Sequence, residues 1–145
     1  MKKILFVIHD LHHGGAEKVL VNLVNNMDRE KFDITVMALF GGGVNEPFLK
    51  KDVKLIICHK RAVRGNSKIM KLFSPQFLFS YYIKDKYDMI VSYLEGPSAR
   101  IVSGCNDKNT KLVSWIHVEQ HNRNTACNAF RDYKEALECY RKFDC

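Results

Sequence analysis

The sequence lacks any long apolar run. Its uninterrupted hydrophobic stretches are about five to seven residues long, far short of the roughly 18 that a bilayer-spanning helix needs. The start, MKKILFVIHD, has the lysines and apolar stretch of a signal peptide, but His9 and Asp10 end that stretch and no small-residue cleavage site follows. We therefore expect a domain that does not cross a membrane and interpret the start as a buried strand.

Paired cysteines are also missing. The five cysteines form an odd set without a Cys-x-x-Cys pair, which fits neither a disulfide framework nor the usual spacing of zinc ligands. A reducing environment is the better match, so we expect a cytoplasmic protein.

Acidic residues are fewer than basic ones, and the net charge is +7. This balance favours an anionic partner, which could be nucleic acid, a phosphorylated small molecule or an acidic lipid surface. Residues 59–71, HKRAVRGNSKIMK, contain no acidic residue and five cations, namely Lys60, Arg61, Arg64, Lys68 and Lys71. They form either a solvated basic loop or a surface for an anionic partner. Because no aromatic residues interleave with these charges, we expect no nucleic acid binding.

Strand-like and helix-like segments alternate along the chain. Apolar, β-branched runs predict five strands at 3–8, 32–40, 53–59, 87–96 and 111–119. Helical spacing from Ala16 to Met27, the Ser74-Pro75 start signal, residues 97–105 and the tail after Phe130 predict the helices between and after them. We therefore predict one α/β domain over residues 1–145, with a Rossmann-like parallel sheet of about five strands and helices on both faces.

A strand order of 3-2-1-4-5 would bring two loops together. The loops HDLHHGGAE and SYLEGPSA follow strands 1 and 4, and ligands of such sheets bind where the strand order reverses. The aspartate and histidine of Asp10-x-His12 could reach one metal ion, as at the start of metal-dependent phosphoesterases, with His9 and His13 beside them. The further ligands are missing, so we expect a polar loop and no metal.

The glycine pair Gly14-Gly15 marks the start of the first helix. The G-x-G-x-x-G spacing of dinucleotide sites is absent. A helix start with free amide groups favours a phosphate or carboxylate, and glycines let a ligand approach the backbone closely. A tight turn without a ligand explains the same residues equally simply.

These segments carry a family resemblance. KILFVIHDLHHGGAEKVLVNLVNNMDREKFDITVMAL, KYDMIVSYLEGPSARIVS and KLVSWIHVEQHN resemble the amino-terminal domain of retaining glycosyltransferases of the family-4 type. The resemblance covers nearly the whole chain. It implies one half of a GT-B architecture, in which this domain mainly binds a glycan or lipid-linked acceptor. The carboxyl-terminal domain, which mainly binds the nucleotide-sugar donor and needs no further cofactor, has no counterpart here.

The resemblance also implies roles for individual residues. Gly14 and Gly15 match the turn whose backbone faces the donor diphosphate, and Glu17 opens the helix behind it. His117 matches a histidine near the transferred sugar and is the candidate catalytic residue, although a strand-end histidine bonded to a carbonyl is the alternative. Glu95 and Gly96 are candidate acceptor contacts, with His121 as a further one.

Two functions follow as hypotheses. One is a hexosyl-transferring enzyme of which this chain is the inactive amino-terminal piece, with residues 59–71 meeting anionic lipid at the inner face of a membrane or a phosphorylated acceptor. The other is a non-catalytic α/β module that binds a phosphorylated ligand at Gly14-Gly15. A downstream Rossmann-like unit with two glutamates eight residues apart would favour the enzyme, and a stop codon after Cys145 would favour the module.

Overall fold

The computed structural model describes residues 1–118 and 127–145. Its centre is a five-stranded, all-parallel sheet in the order β3-β2-β1-β4-β5. The predicted α/β Rossmann-like fold and strand order are thereby confirmed. The strands are β1 (Lys2–Ile8), β2 (Phe32–Phe40), β3 (Lys54–His59), β4 (Met89–Tyr93) and β5 (Lys111–Trp115).

Helices cover both faces of the sheet. Ser74 caps the third helix as its sequence predicts: its hydroxyl accepts from the Phe77 amide at 3.1 Å, and Pro75 occupies the first helical position. The tail helix begins at Tyr133, because the Asp132 carboxylate caps it through the Glu135 amide. The helices are α1 (Gly15–Asn26), α2 (Asn66–Met70), α3 (Pro75–Tyr82), α4 (Pro97–Val102) and α5 (Tyr133–Tyr140).

The central strand β1 contributes side chains to two hydrophobic cores, one on each face of the sheet. Leu5 and Val7 face the cluster that includes Leu78 of α3 and Ile101 of α4, whereas Phe6 and Ile8 alternate to the side of α1. All four β1 side chains are buried. A strand covered on both faces must be apolar at every position, which explains the continuous run KILFVI.

Buried Arg100 joins α4 to two other parts of the fold. The side chain is 1% exposed. Its guanidinium donates to the carbonyl oxygens of Met70 (2.9 Å) and Phe73 (2.7 Å) and pairs with the Glu135 carboxylate of α5 at 2.5 Å. Three hydrogen-bonding groups thus converge on one buried cation, which holds residues 70–73 against α4 and α5.

Candidate functional site

The loop after β1 is a tight hydrogen-bonded turn around Asp10. One carboxylate oxygen accepts from the His12 amide at 3.0 Å and lies 3.0 Å from His12 Nδ1, and the other lies 2.7 Å from His9 Nδ1. His13 beside them is exposed. Across residues 1–118 and 127–145, no three His, Cys, Asp or Glu side chains are grouped as a metal site. The polar-loop interpretation accounts for these contacts.

These contacts change the acidity of Asp10. Burial by itself would raise the pKa of this carboxyl, but the His12 amide and the imidazoles of His9 and His12 favour the ionised form, and the pKa is lowered overall. A carboxyl with a lowered pKa stabilises the folded protein above its unfolded pKa of about 3.9. That stabilisation disappears as the pH falls through the lowered folded pKa.

Asp10→Ala is therefore expected to lower the free energy of unfolding by about 1–2 kcal/mol at neutral pH. The difference from wild type should shrink towards zero in acid, once Asp10 of the wild type takes up its proton. Urea denaturation at several pH values measures this. Asp107→Ala is the control, since Asp107 also accepts a backbone amide, from Asn109 at 2.9 Å, but has no imidazole partner among the described residues. Equal losses for both variants at every pH would contradict the assignment.

The two glycines at the start of α1 have different surroundings. Gly14 has an extended backbone and is the N-cap, without a side-chain cap bond. A Cβ at Gly14 would lie 1.9 Å from Glu17 Oε2, so the Glu17 carboxylate covers this glycine, whereas a Cβ at Gly15 would meet nothing within 4 Å. An acidic group in the first helical turn is favoured by the helix dipole. The open approach to the helix start is thus above Gly15.

The loop after β4 has an unusual backbone. Leu94 has a φ of 76° and Gly96 a φ of 99°. A positive φ is uncommon for a residue with a side chain, and such conformations cluster at functional sites. The buried Ser98 hydroxyl donates to the Leu94 carbonyl at 3.1 Å and lies 3.1 Å from Ser92 Oγ, which holds the turn in place.

Glu95 joins this loop to the end of β5. Its Oε1 accepts from the backbone amides of His117 at 2.5 Å and Val118 at 2.7 Å. The carboxylate, predicted as an acceptor contact, is thus bonded to backbone and fixes the position of His117. Gly96, the other predicted acceptor contact, lies beside it at the N-cap of α4.

The imidazole of His117 is exposed and belongs to an aromatic cluster. Its ring lies 4.7 Å from the Tyr93 ring and is stacked at 6.0 Å on Trp115, which is 40% exposed. Among the described residues the imidazole has no hydrogen-bond partner. The alternative interpretation, in which this histidine is bonded to a carbonyl, therefore has no support among them. The sequence analysis missed Tyr93 and Trp115, although both stand two residues before a candidate residue at a strand end.

Tyr93 connects this cluster to the start of α1. Its side chain is fully buried, and its hydroxyl has no hydrogen-bond partner in the described part of the chain. Burial raises the pKa of this phenol, and the nearby negative charge of Glu17 raises it further. The Tyr93 ring contacts His117, and its hydroxyl feels the charge of Glu17, so the predicted diphosphate turn and the predicted catalytic histidine lie in one region.

Residues 59–71, the basic segment, lie at the edge of the sheet where the strands have their carboxyl ends. The loops after β1 and β4 lie at the same edge. Lys60, Arg61, Arg64 and Lys68 are exposed, and Lys71 is half-buried. A cavity of about 150 Å³ lies between this segment and the loops after β1 and β4; its lining includes His9, Val63, Asn66 and Pro97. The segment also contains helix α2, which the sequence analysis did not predict.

Comparison of the sequence with protein-family models finds no match, and comparison with curated proteins finds none either. The family resemblance therefore stays a prediction. His121 lies outside the described residues. Among the residues that the structure describes, none of the helices is both long and apolar enough to cross a bilayer.

Proposed function

We propose that the chain is the acceptor-side domain of a retaining glycosyltransferase. In this proposal it helps to transfer a sugar from a nucleotide-sugar to a glycan or lipid-linked acceptor, and a second domain provides most of the donor site. The observation that carries the proposal is the open helix start at Gly15, which lies where the strand order reverses, with the exposed His117 at the end of a strand on the same edge of the sheet. The resemblance of the same segments to the family supports it.

The start of α1 would stabilise the leaving diphosphate. Free amides at the beginning of this 12-residue helix and the positive end of its dipole favour the negative charge that builds up as the glycosidic bond breaks. The approach is open above Gly15, whereas at Gly14 the Glu17 carboxylate must turn away first. We therefore assign the closer diphosphate contact to Gly15.

His117 would lie beside the transferred sugar. Its backbone is fixed by Glu95 and its ring by Tyr93 and Trp115, so the exposed imidazole is held in one orientation. In this assignment Glu95 is a positioning residue. Gly96, whose backbone conformation only glycine adopts easily, would let the acceptor approach the loop after β4.

Titration of the chain with a nucleoside diphosphate and with a nucleotide-sugar, followed by NMR of the backbone amides, tests the proposal. We expect shifts at Gly15, Ala16 and His117, none at Asn109 on the opposite edge, and no release of nucleoside diphosphate from the sugar. Turnover by this chain alone would contradict the division of roles. Shifts caused equally by inorganic phosphate and by a nucleoside diphosphate would favour the phosphate-binding module instead.

A further inference from the structure

Three exposed aromatic rings stack side by side, one just before the start of α3 and two on the helix itself. Phe73, Phe77 and Tyr81 are four residues apart, and their exposed fractions are 41%, 50% and 54%. The ring centroids of Phe73 and Phe77 are 4.9 Å apart and those of Phe77 and Tyr81 6.3 Å, with nearly parallel planes. Phe77 and Tyr81 share one face of α3 because they are four residues apart, and the Phe73 ring extends this face by stacking on Phe77. The three rings form an apolar strip towards solvent.

Two exposed aliphatic residues precede these rings in the chain. Ile69 of α2 is 53% exposed and Leu72, which follows α2, is 76% exposed. A groove of about 290 Å³ lies between the two helices, with Ile69, Phe73, Phe77 and Tyr81 in its lining. We call Ile69, Leu72, Phe73, Phe77 and Tyr81 the apolar patch. Contiguous exposed apolar surface of this kind marks a site of interaction with a protein or a membrane.

The stretch of chain that carries the apolar patch is basic along its whole length. Residues 53–84 contain no Asp or Glu. The cations of this stretch are Lys54, Lys60, Arg61, Arg64, Lys68, Lys71 and Lys84. Lys54 is paired with Asp85 at 3.3 Å, whereas Arg64 and Lys68 are exposed and have no ion-pair partner among the described residues.

We propose that the apolar patch and its basic rim dock this domain on an anionic lipid bilayer. Peripheral membrane surfaces combine apolar side chains, which enter the boundary between headgroups and acyl chains, with Lys and Arg that attract anionic lipid. Nucleic acid fits less well, since the rings stack on one another and the aliphatic side chains offer no partner for a base. This inference does not depend on the proposed transfer reaction.

The patch is held in place by the interior of the protein. Arg100 binds the carbonyl oxygens of Met70 and Phe73, and Arg131 donates to the Lys71 carbonyl at 2.7 Å. Leu72 therefore projects from a backbone fixed on both sides. A surface held in its binding conformation loses little conformational entropy when it binds.

Sedimentation with vesicles tests the proposal. The chain should bind vesicles of phosphatidylcholine mixed with phosphatidylglycerol more tightly than phosphatidylcholine alone, and salt near ~0.1 M should weaken binding because exposed charges are then screened. Leu72→Ser with Phe77→Ser should weaken binding at least about tenfold. Phe48→Ser is the matched control, because Phe48 is 68% exposed beside α1 and its loss should leave binding unchanged.

Two double variants with reversed charges distinguish the effect of charge near the apolar patch from the effect of net charge. Arg64→Glu with Lys68→Glu should weaken binding to the anionic vesicles, whereas Lys51→Glu with Lys108→Glu, which makes the same change of net charge at the opposite edge of the sheet, should not. Equal binding to both kinds of vesicle, or equal loss from both charge pairs, would overturn the proposal. A dimer that Leu72→Ser dissociates, together with no vesicle binding, would overturn it in favour of a second copy of the chain.

Discussion

Replacing Arg100 with alanine is expected to lower the free energy of unfolding by about 3–5 kcal/mol, the cost of breaking a buried ion pair by removing one partner. The substitution removes the guanidinium that donates to the Met70 and Phe73 carbonyls, although Met70 keeps the Phe73 amide at 3.2 Å, and it leaves the Glu135 carboxylate without its closest cation. It also opens a cavity, because Arg100 is the largest fully buried side chain among the described residues. A loss of this size is a large part of the stability of an ordinary domain.

Urea denaturation followed by circular dichroism measures this loss. Arg131→Ala is the matched control, because Arg131 also bonds to a carbonyl of residues 70–73 and lies near Glu135, at 3.8 Å, but its side chain is 48% exposed. Its replacement should cost less than about 1 kcal/mol. Similar losses for the two variants would show that the burial of Arg100 does not determine its contribution to the free energy of unfolding.

Gly15→Val should weaken diphosphate binding while His12→Ala leaves it unchanged. The valine side chain would fill the open space above the helix start, where the proposed ligand meets backbone amides. We expect the dissociation constant of a nucleoside diphosphate to rise at least about tenfold for Gly15→Val, equivalent to about 1.4 kcal/mol. His12→Ala removes a side chain that lies against Asp10.

The backbone conformation of Gly15 allows a direct comparison of the two variants. Gly15 is not among the glycines with positive φ, so the strain that such a conformation would add is absent, and an added Cβ would lie in open space. Gly15→Ala, with a smaller side chain, should show an intermediate effect. The measurement is amide titration of each folded variant, and kcat/KM in the complete two-domain enzyme that the proposal implies. Loss of binding or activity in His12→Ala, with normal function of Gly15→Val, would contradict the proposed backbone site. It would favour a site in which an imidazole binds the ligand.

The sequence predicted the sheet well because the strands are covered on both faces. Burial demands an unbroken apolar run in β1, and the helices that follow β1, β3 and β4 leave the parallel arrangement as the simple solution. The start of α3 was also predictable, since Ser74 and Pro75 act through local backbone chemistry.

The parts of the site that depend on distant contacts were not predictable. Nothing in SYLEGPSA indicates that the Glu95 carboxylate bonds to amides 22 and 23 residues later. The charge of Arg100 suggests an exposed residue, and only its partners in two other segments explain its burial. Helix α2 escaped prediction because its five residues are too few to show a period.

Arg100 also connects the proposed acceptor loop with the apolar patch. It lies one turn into α4, whose N-cap is Gly96 of the proposed acceptor loop, and it binds the backbone on both sides of Leu72 in the apolar patch. The loop after β4 and the apolar patch are thus joined through one buried side chain. If both proposals hold, a bilayer that fixes the tilt of the patch would also set the height of the acceptor loop above the lipid headgroups.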